Sequence, residues 1–318
     1  MGASIDYHCH QEVAILPRVR HLFVLAAVAT LWLLGTDTVM AQPASTQADA
    51  KPPRIASANW TTTETLIALG VTPYGVSDIA NYNTWVKEPP VPPSTIDIGL
   101  RNQPNLELLA QNPPDLLLSS ALFSRDNARL ERLMPVRIVD NFYTGQPFYP
   151  ATQAMTREIG DLTGHQAQAE RLIDQTDQKL TRAAQSLADI SRPVYVVQFS
   201  DTQHVRVFGG GNMVGTVLDR THLRNAWTGP TNAWGYASIS IDRLAETPDA
   251  RIVVIKPYPR QVESELENNQ VWQHLPAVRE GRVSEIAPVW PYGGLVSMQR
   301  LTRSLVEVMT GSAGAPDA

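Results

Sequence analysis

Arg101 is the side chain with most to offer a ligand. It follows Thr95-Ile96-Asp97-Ile98-Gly99-Leu100 and precedes Asn102-Gln103-Pro104-Asn105-Leu106-Glu107-Leu108-Leu109. Ile96 and Ile98 suit a short buried strand. Gly99 allows a turn that other residues resist. The stretch from Pro104 reads as a first helical turn, with proline early and Glu107 near its positive end. Arg101 then sits on a loop at the end of a strand, where open α/β sheets bind ligands. Its guanidinium presents a fixed fork of donors to an oxyanion. The plain alternative is a surface arginine paired with a carboxylate.

Tryptophans form a second group. Trp234 precedes Gly235, and Trp290 lies between Val289 and Pro291. Loop tryptophans at a sheet's ligand edge line pockets, whereas Trp272, in a helical stretch, reads as core. Lys256 follows a strand and offers a second cation, although a solvated lysine is the favoured reading. His165, His204, His222 and His274 are scattered and carry no metal-ligand spacing. There is no G-x-S-x-G elbow. Gly209-Gly210-Gly211-Asn212 lacks the Lys-Ser/Thr of a phosphate loop and reads as a helix start.

The one cysteine, Cys9, precedes an apolar run at 22–34 flanked by Arg18, Arg20 and His21 and followed by Val39-Met40-Ala41. This is the layout of a secretory signal cleaved after Ala41, and the run is short for a membrane span. The mature chain would hold no cysteine, which excludes disulfides, zinc thiolates and lipid attachment. Residues 1–41 carry two arginines and three acids, so the net charge moves from −5 to −4. No basic run marks a nucleic-acid surface.

These side chains need a scaffold. Residues 42–53 read as a flexible tail, and 313–318 as another. From 54 to 150, apolar runs at 55–57, 74–77, 116–118 and 136–139 alternate with helical patterns at 62–69 and 127–133, which means βαβ units and a mostly parallel sheet. Helical periodicity dominates the linker, 151–190, where Gly164 divides a short helix from a long one at about 165–188. The second lobe, 191–312, repeats the pattern, with strands at 194–197, 205–208, 251–255 and 283–286 and a closing helix at 295–309. The expected class is α/β, with two lobes joined by one long helix.

Several segments resemble one family. In the first half they are Glu64-Thr65-Leu66-Ile67-Ala68-Leu69-Gly70, Trp85-Val86-Lys87-Glu88-Pro89-Pro90 and Pro114-Asp115-Leu116-Leu117-Leu118. In the second they are Asn225-Ala226-Trp227, Asn232-Ala233-Trp234-Gly235, Ser240-Ile241-Asp242-Arg243-Leu244 and Pro288-Val289-Trp290-Pro291-Tyr292-Gly293. Together, over about residues 54–310, they resemble the periplasmic ferric-hydroxamate siderophore-binding proteins that deliver iron to an ABC transporter. The resemblance implies a monomeric, non-enzymatic periplasmic protein whose cargo is a ferric siderophore, with no covalent cofactor. Arg101 then reaches the iron-bound hydroxamate oxygens, and Trp60, Trp85, Trp227, Trp234, Trp290 and Tyr292 form an aromatic wall. The family's tyrosine falls on Phe123, which keeps the wall and loses the hydroxyl. The resemblance also implies docking to a permease dimer through acidic residues on each lobe, for which Asp126 and Glu131, then Glu246 and Asp249, are candidates. Binding of another chelate (a citrate-type siderophore, haem or cobalamin) and an exported hydrolase are the alternatives.

Overall fold

The computed structural model describes residues 52–142 and 144–311. The expected leader (1–41), most of the following tail, and 313–318 lie outside the described residues.

The first lobe runs β1 (Ile55–Ser57), α1 (Trp60–Ala68), β2 (Gly75–Val76), α2 (Ile79–Trp85), β3 (Ile96–Asp97), β4 (Gly99–Leu100), β5 (Gln103–Pro104), α3 (Leu106–Gln111), β6 (Leu116–Ser119), α4 (Ser124–Leu130) and β7 (Val136–Ile138). Its sheet has the order β3-β2-β1-β6-β7, with every pairing parallel. Helices cover such sheets on both faces, which is why Ile55, Ala56, Leu117 and Leu118 are all buried. The Asn59 side chain caps α1 by accepting the Thr61 N–H. Gly70, with φ +87°, ends that helix.

The Arg101 stretch differs from expectation. Pro104 is not helical. Gly99–Leu100 and Gln103–Pro104 pair as a small antiparallel hairpin, with Arg101 and Asn102 at its tip. The helix starts one residue after Asn105, whose side chain accepts the Leu108 N–H. A cap this strong outcompetes a proline start. Gly99 has φ +90°, and a Cβ there would lie 2.7 Å from the Asn105 nitrogen. The hairpin therefore needs glycine at that position.

The chain then enters α5 (Phe148–Thr163), turns at Gly164 (φ 72°) and continues as α6 (Gln166–Ser186). The break falls where expected. The two helices fold back on each other: Tyr149 bonds Asp177 at 3.0 Å and Arg157 bonds Glu170 at 2.7 Å. The joining helix is α5, which packs against α1 in the first lobe and α7 in the second, while the longer α6 lies against α5 and α11.

The second lobe holds β8 (Val194–Phe199), β9 (His204–Phe208), α7 (Met213–Arg220), β10 (Tyr236–Ser240), β11 (Arg251–Ile255), α8 (Arg260–Leu266), α9 (Gln270–His274), α10 (Pro276–Arg279), β12 (Val283–Ile286) and α11 (Leu295–Thr310). The sheet order is β10-β9-β8-β11-β12. Strands β8, β11 and β12 are parallel, but β9 and β10 run antiparallel to their neighbours. The second lobe therefore repeats the first only in part. The cause is local: the Asp201 carboxylate accepts the N–H groups of Gln203 and His204, and this tight turn sends β9 straight back along β8.

Helix α11 ties the lobes together. Glu64 of α1 accepts the Gly294 N–H and the Ser297 hydroxyl, each at 2.5 Å. Thr61 donates to the Tyr292 carbonyl at 3.0 Å, and Arg300 donates to the Val86 carbonyl at 2.5 Å. One apolar core runs from Leu66 and Leu118 through Met155 and Ile159 to Val196, Phe208 and Leu301. Among the described residues no helix is long and apolar enough to cross a membrane.

Candidate functional site

A cavity of about 470 Å³ opens between the lobes. Its first-lobe wall is built where parallel strands end. Asn59 and Thr61 follow β1, Asp78 follows β2, Phe123 follows β6, and Asp140 and Phe142 follow β7, while Arg101 stands on the hairpin tip. Ligands bind at such carboxyl ends because the loops there can face one crevice. The second lobe contributes Arg206 on β9, Trp234 and Tyr236 around the start of β10, and Trp290 and Tyr292 after β12.

Arg101 lies 3.6 Å from the centre of the Trp60 ring and 5.4 Å from that of Trp290. The ring faces attract the cation and hold it at the cavity wall. Burial lowers the guanidinium's pKa, and Asp78 opposes that fall. Arginine stays charged through such a shift, so the site keeps a partly desolvated cation. Asp140 moves the other way: burial raises its pKa, against hydrogen bonds from the Ser120 hydroxyl and the Ala121 N–H.

The aromatic rings form a connected track. Trp60 meets Trp290 edge-on at 4.9 Å, Trp290 meets Tyr292 at 5.0 Å, and Tyr292 meets Trp234 at 5.5 Å. Phe142 joins Trp234 and Tyr292 from the first lobe. The Asn232 side chain positions Trp234 by accepting its N–H at 2.9 Å. Gly235, with φ +75°, packs against Asn212, the cap of α7, where a side chain would clash. The wall on this side is thus fixed by backbone turns, which favours a preformed site.

Residues 55–289 match the family described as periplasmic binding protein. The chain belongs to that family. As a periplasmic binding protein it is 35% identical over 301 residues to the iron(3+)-hydroxamate-binding protein FhuD of Escherichia coli (strain K12), covering 94% of this chain and 98% of that one. It is 25% identical over 296 residues to the achromobactin-binding periplasmic protein of Dickeya dadantii (strain 3937), covering 86% and 92%. Among solved structures, the Fe³⁺–Desferal-bound siderophore-binding protein FhuD of Vibrio cholerae superposes with a TM-score of 0.75 at 27% identity, covering 80% of this chain and 98% of that one.

This periplasmic binding protein brings Arg101, Phe123, Trp234, Trp290 and Tyr292 to one cavity. Trp60 is buried beneath Arg101, and its Nε1 donates to the Ser77 carbonyl at 3.0 Å. Trp85 packs with Trp60, Tyr82 and Val86, behind the wall rather than on it. Trp227 is not brought to the cavity. It is 7% exposed, sits in the second lobe's own core, and carries Arg243 over its ring at 5.1 Å. The Asn225 side chain accepts its N–H and turns the loop inward. Lys256 ion-pairs with Glu285 at 2.7 Å and does not line the cavity.

The acidic candidates separate by lobe. Asp126 lies one turn into α4, just past Phe123, and pairs with Arg129 at 3.9 Å, while Glu131 is exposed at the helix end. Glu246 pairs with Arg243 at 2.7 Å and Asp249 lies 3.9 Å from Arg224. Both precede β11, at the sheet end opposite the one from which β12 leads to Trp290. Neither residue lines the cavity.

Sequence reasoning missed Arg206, Tyr236, Phe142, Asp78 and Asp140. The alternation His204-Val205-Arg206-Val207-Phe208 carries one usable signal. With Val205 and Val207 buried on one face, Arg206 must stand on the other.

Proposed function

We propose that this periplasmic binding protein captures a ferric hydroxamate siderophore in the cavity and hands it to an inner-membrane ABC transporter. The observation that carries this reading is Arg101 standing partly desolvated over Trp60 at the edge of an aromatic wall. A chelated ferric ion presents oxygen ligands that carry negative charge, surrounded by an apolar exterior. A fixed guanidinium suits the former and the rings suit the latter. The names and identity levels of the two FhuD proteins support the hydroxamate class.

On this reading the protein is a carrier rather than an enzyme, and it works as a monomer. Iron is cargo held by the siderophore, and the protein needs no covalent cofactor. It acts in the periplasm after its leader is cleaved following Ala41. The permease meets both lobes, and on the first lobe Asp126 and Glu131 are the docking carboxylates nearest the cavity. Fluorescence titration tests the assignment. Trp234 and Trp290 line the cavity, so a bound ferric complex should quench their emission. Ferric trishydroxamates should saturate the signal at low concentration, whereas haem and cobalamin should not. Tighter binding of haem or cobalamin would replace the reading.

A further inference from the structure

The charges around the cavity are unevenly placed. Its two lining carboxylates, Asp78 and Asp140, both belong to the first lobe. Both are already engaged there. Asn81 donates to the Asp78 carboxylate at 3.0 Å, and the Ala121 N–H donates to Asp140 at 2.7 Å. From the second lobe, the one charged lining residue is Arg206. Among the described residues no carboxylate lies within ion-pair distance of it. Its guanidinium stands 5.4 Å from the centre of the Tyr236 ring and beside Tyr292.

Arg206 and Arg101 occupy opposite ends of the ring track. Arg101 touches Trp290, Trp290 touches Tyr292, Tyr292 touches Tyr236 at 6.4 Å, and Arg206 touches Tyr236. Arg206 also hydrogen-bonds Tyr292 directly, so two rings, Trp290 and Tyr292, separate the two cations, which can engage different groups of one large ligand. A neutral trishydroxamate complex gives Arg101 an oxygen to bind and leaves Arg206 with the Tyr292 hydroxyl but no anionic partner. A complex with a free carboxylate away from its hydroxamates satisfies both. That carboxylate is ionised at neutral pH, and an arginine fork bonds it with two donors.

We propose that Arg206 is a specificity-determining anion anchor, which makes this protein prefer ferric hydroxamate siderophores that also carry a free carboxylate, such as citrate-based dihydroxamates. The inference rests on the hydroxamate reading of the cavity.

The test titrates the mature protein with three ferric complexes: a neutral trishydroxamate, a linear trishydroxamate bearing a free ammonium, and an anionic citrate-based dihydroxamate. The unaltered protein should bind the anionic complex most tightly, with an affinity that falls as salt rises. Arg206→Gln should weaken the anionic complex about ten- to a hundredfold while leaving the neutral one within a few-fold. Arg206→Lys should keep part of the preference, since it retains the charge and loses the fork. An equal loss for all three complexes would make Arg206 a prop for Tyr236 and overturn the proposal. So would an unchanged order of affinities in Arg206→Gln, or tightest binding of the ammonium-bearing complex. If none of the three binds the unaltered protein, the hydroxamate reading itself fails, an outcome distinct from those above.

Discussion

The Glu64 carboxylate of α1 accepts the Ser297 hydroxyl at 2.5 Å, joining the first helix of one lobe to the last helix of the other. Burial pushes its pKa up to about 7, against the hydrogen bonds from Ser297 and Gly294 and the charge of Arg300. The folded protein therefore holds a proton on Glu64 at pH values where the unfolded chain, near pH 4.5, has lost it. This contribution to stability is complete below about pH 4.5 and is lost as pH rises through about 7. A shift of that size corresponds to roughly 3 kcal/mol. Urea unfolding at several pH values should show the decline, and Glu64→Gln should flatten it. An identical pH profile in the variant would show that Glu64 is not its source.

Arg101→Ala should weaken ferric-hydroxamate binding by about 1.5–3 kcal/mol, the range for a hydrogen bond to a charged group. Arg101 is held by ring faces rather than by an ion pair, so its removal should leave the fold intact. Titration and circular dichroism on the same sample separate the two effects. Unchanged affinity would make Arg101 a structural side chain.

Phe123→Tyr should keep or improve affinity for ferrichrome-like ligands. Phe123 lines the cavity at the start of α4, and a hydroxyl on that ring adds a donor for a hydroxamate oxygen. A severe loss on titration would mean that the cargo packs against the bare ring.

Closure on binding should be small. The Thr61–Tyr292, Glu64–Ser297 and Arg300–Val86 bonds all cross between lobes, and α5 packs on both. Hinge motion would have to break several of them at once. X-ray scattering should give nearly equal radii with and without ligand, and a clear contraction would contradict this.

Charge reversal at Asp126 and Glu131 together should leave siderophore binding intact and reduce iron uptake, because complementary charge governs encounter with the permease. Reversal at Glu246 and Asp249 together should likewise spare siderophore binding, since neither lines the cavity, and lower uptake if the second lobe docks through them. Normal uptake in the first double variant would move the docking face elsewhere.

Much of this was legible before any coordinates. Strands with buried runs, such as Leu116–Ser119, and helices with a clear stop, such as Gly70 after α1, announce themselves through local chemistry. Arg101, Trp234 and Trp290 could be placed because glycine and proline beside them mark loops. Trp227 carried a similar signal, and the Asn225 turn sent it into the core instead. Strand β10, Tyr-Ala-Ser-Ile-Ser, lies at a sheet edge, where small polar residues replace an apolar run. Arg206 belongs to the cavity only because β9 runs antiparallel beside β10, a long-range fact that no spacing along the chain encodes.

The bonds from the first lobe to the α11 segment also set an order of events while the protein is being made. Glu64 leaves the ribosome 230 residues ahead of Gly294, and the Val86 carbonyl 214 residues ahead of Arg300. Until those partners emerge, burying Glu64 would leave its carboxyl group without hydrogen-bond partners, which is costly. The first lobe therefore lacks these native partners while it is translated. Completing them requires the final helix and the closing of a long stretch of chain. The last contacts between the lobes can form only when nearly the whole length has been synthesised.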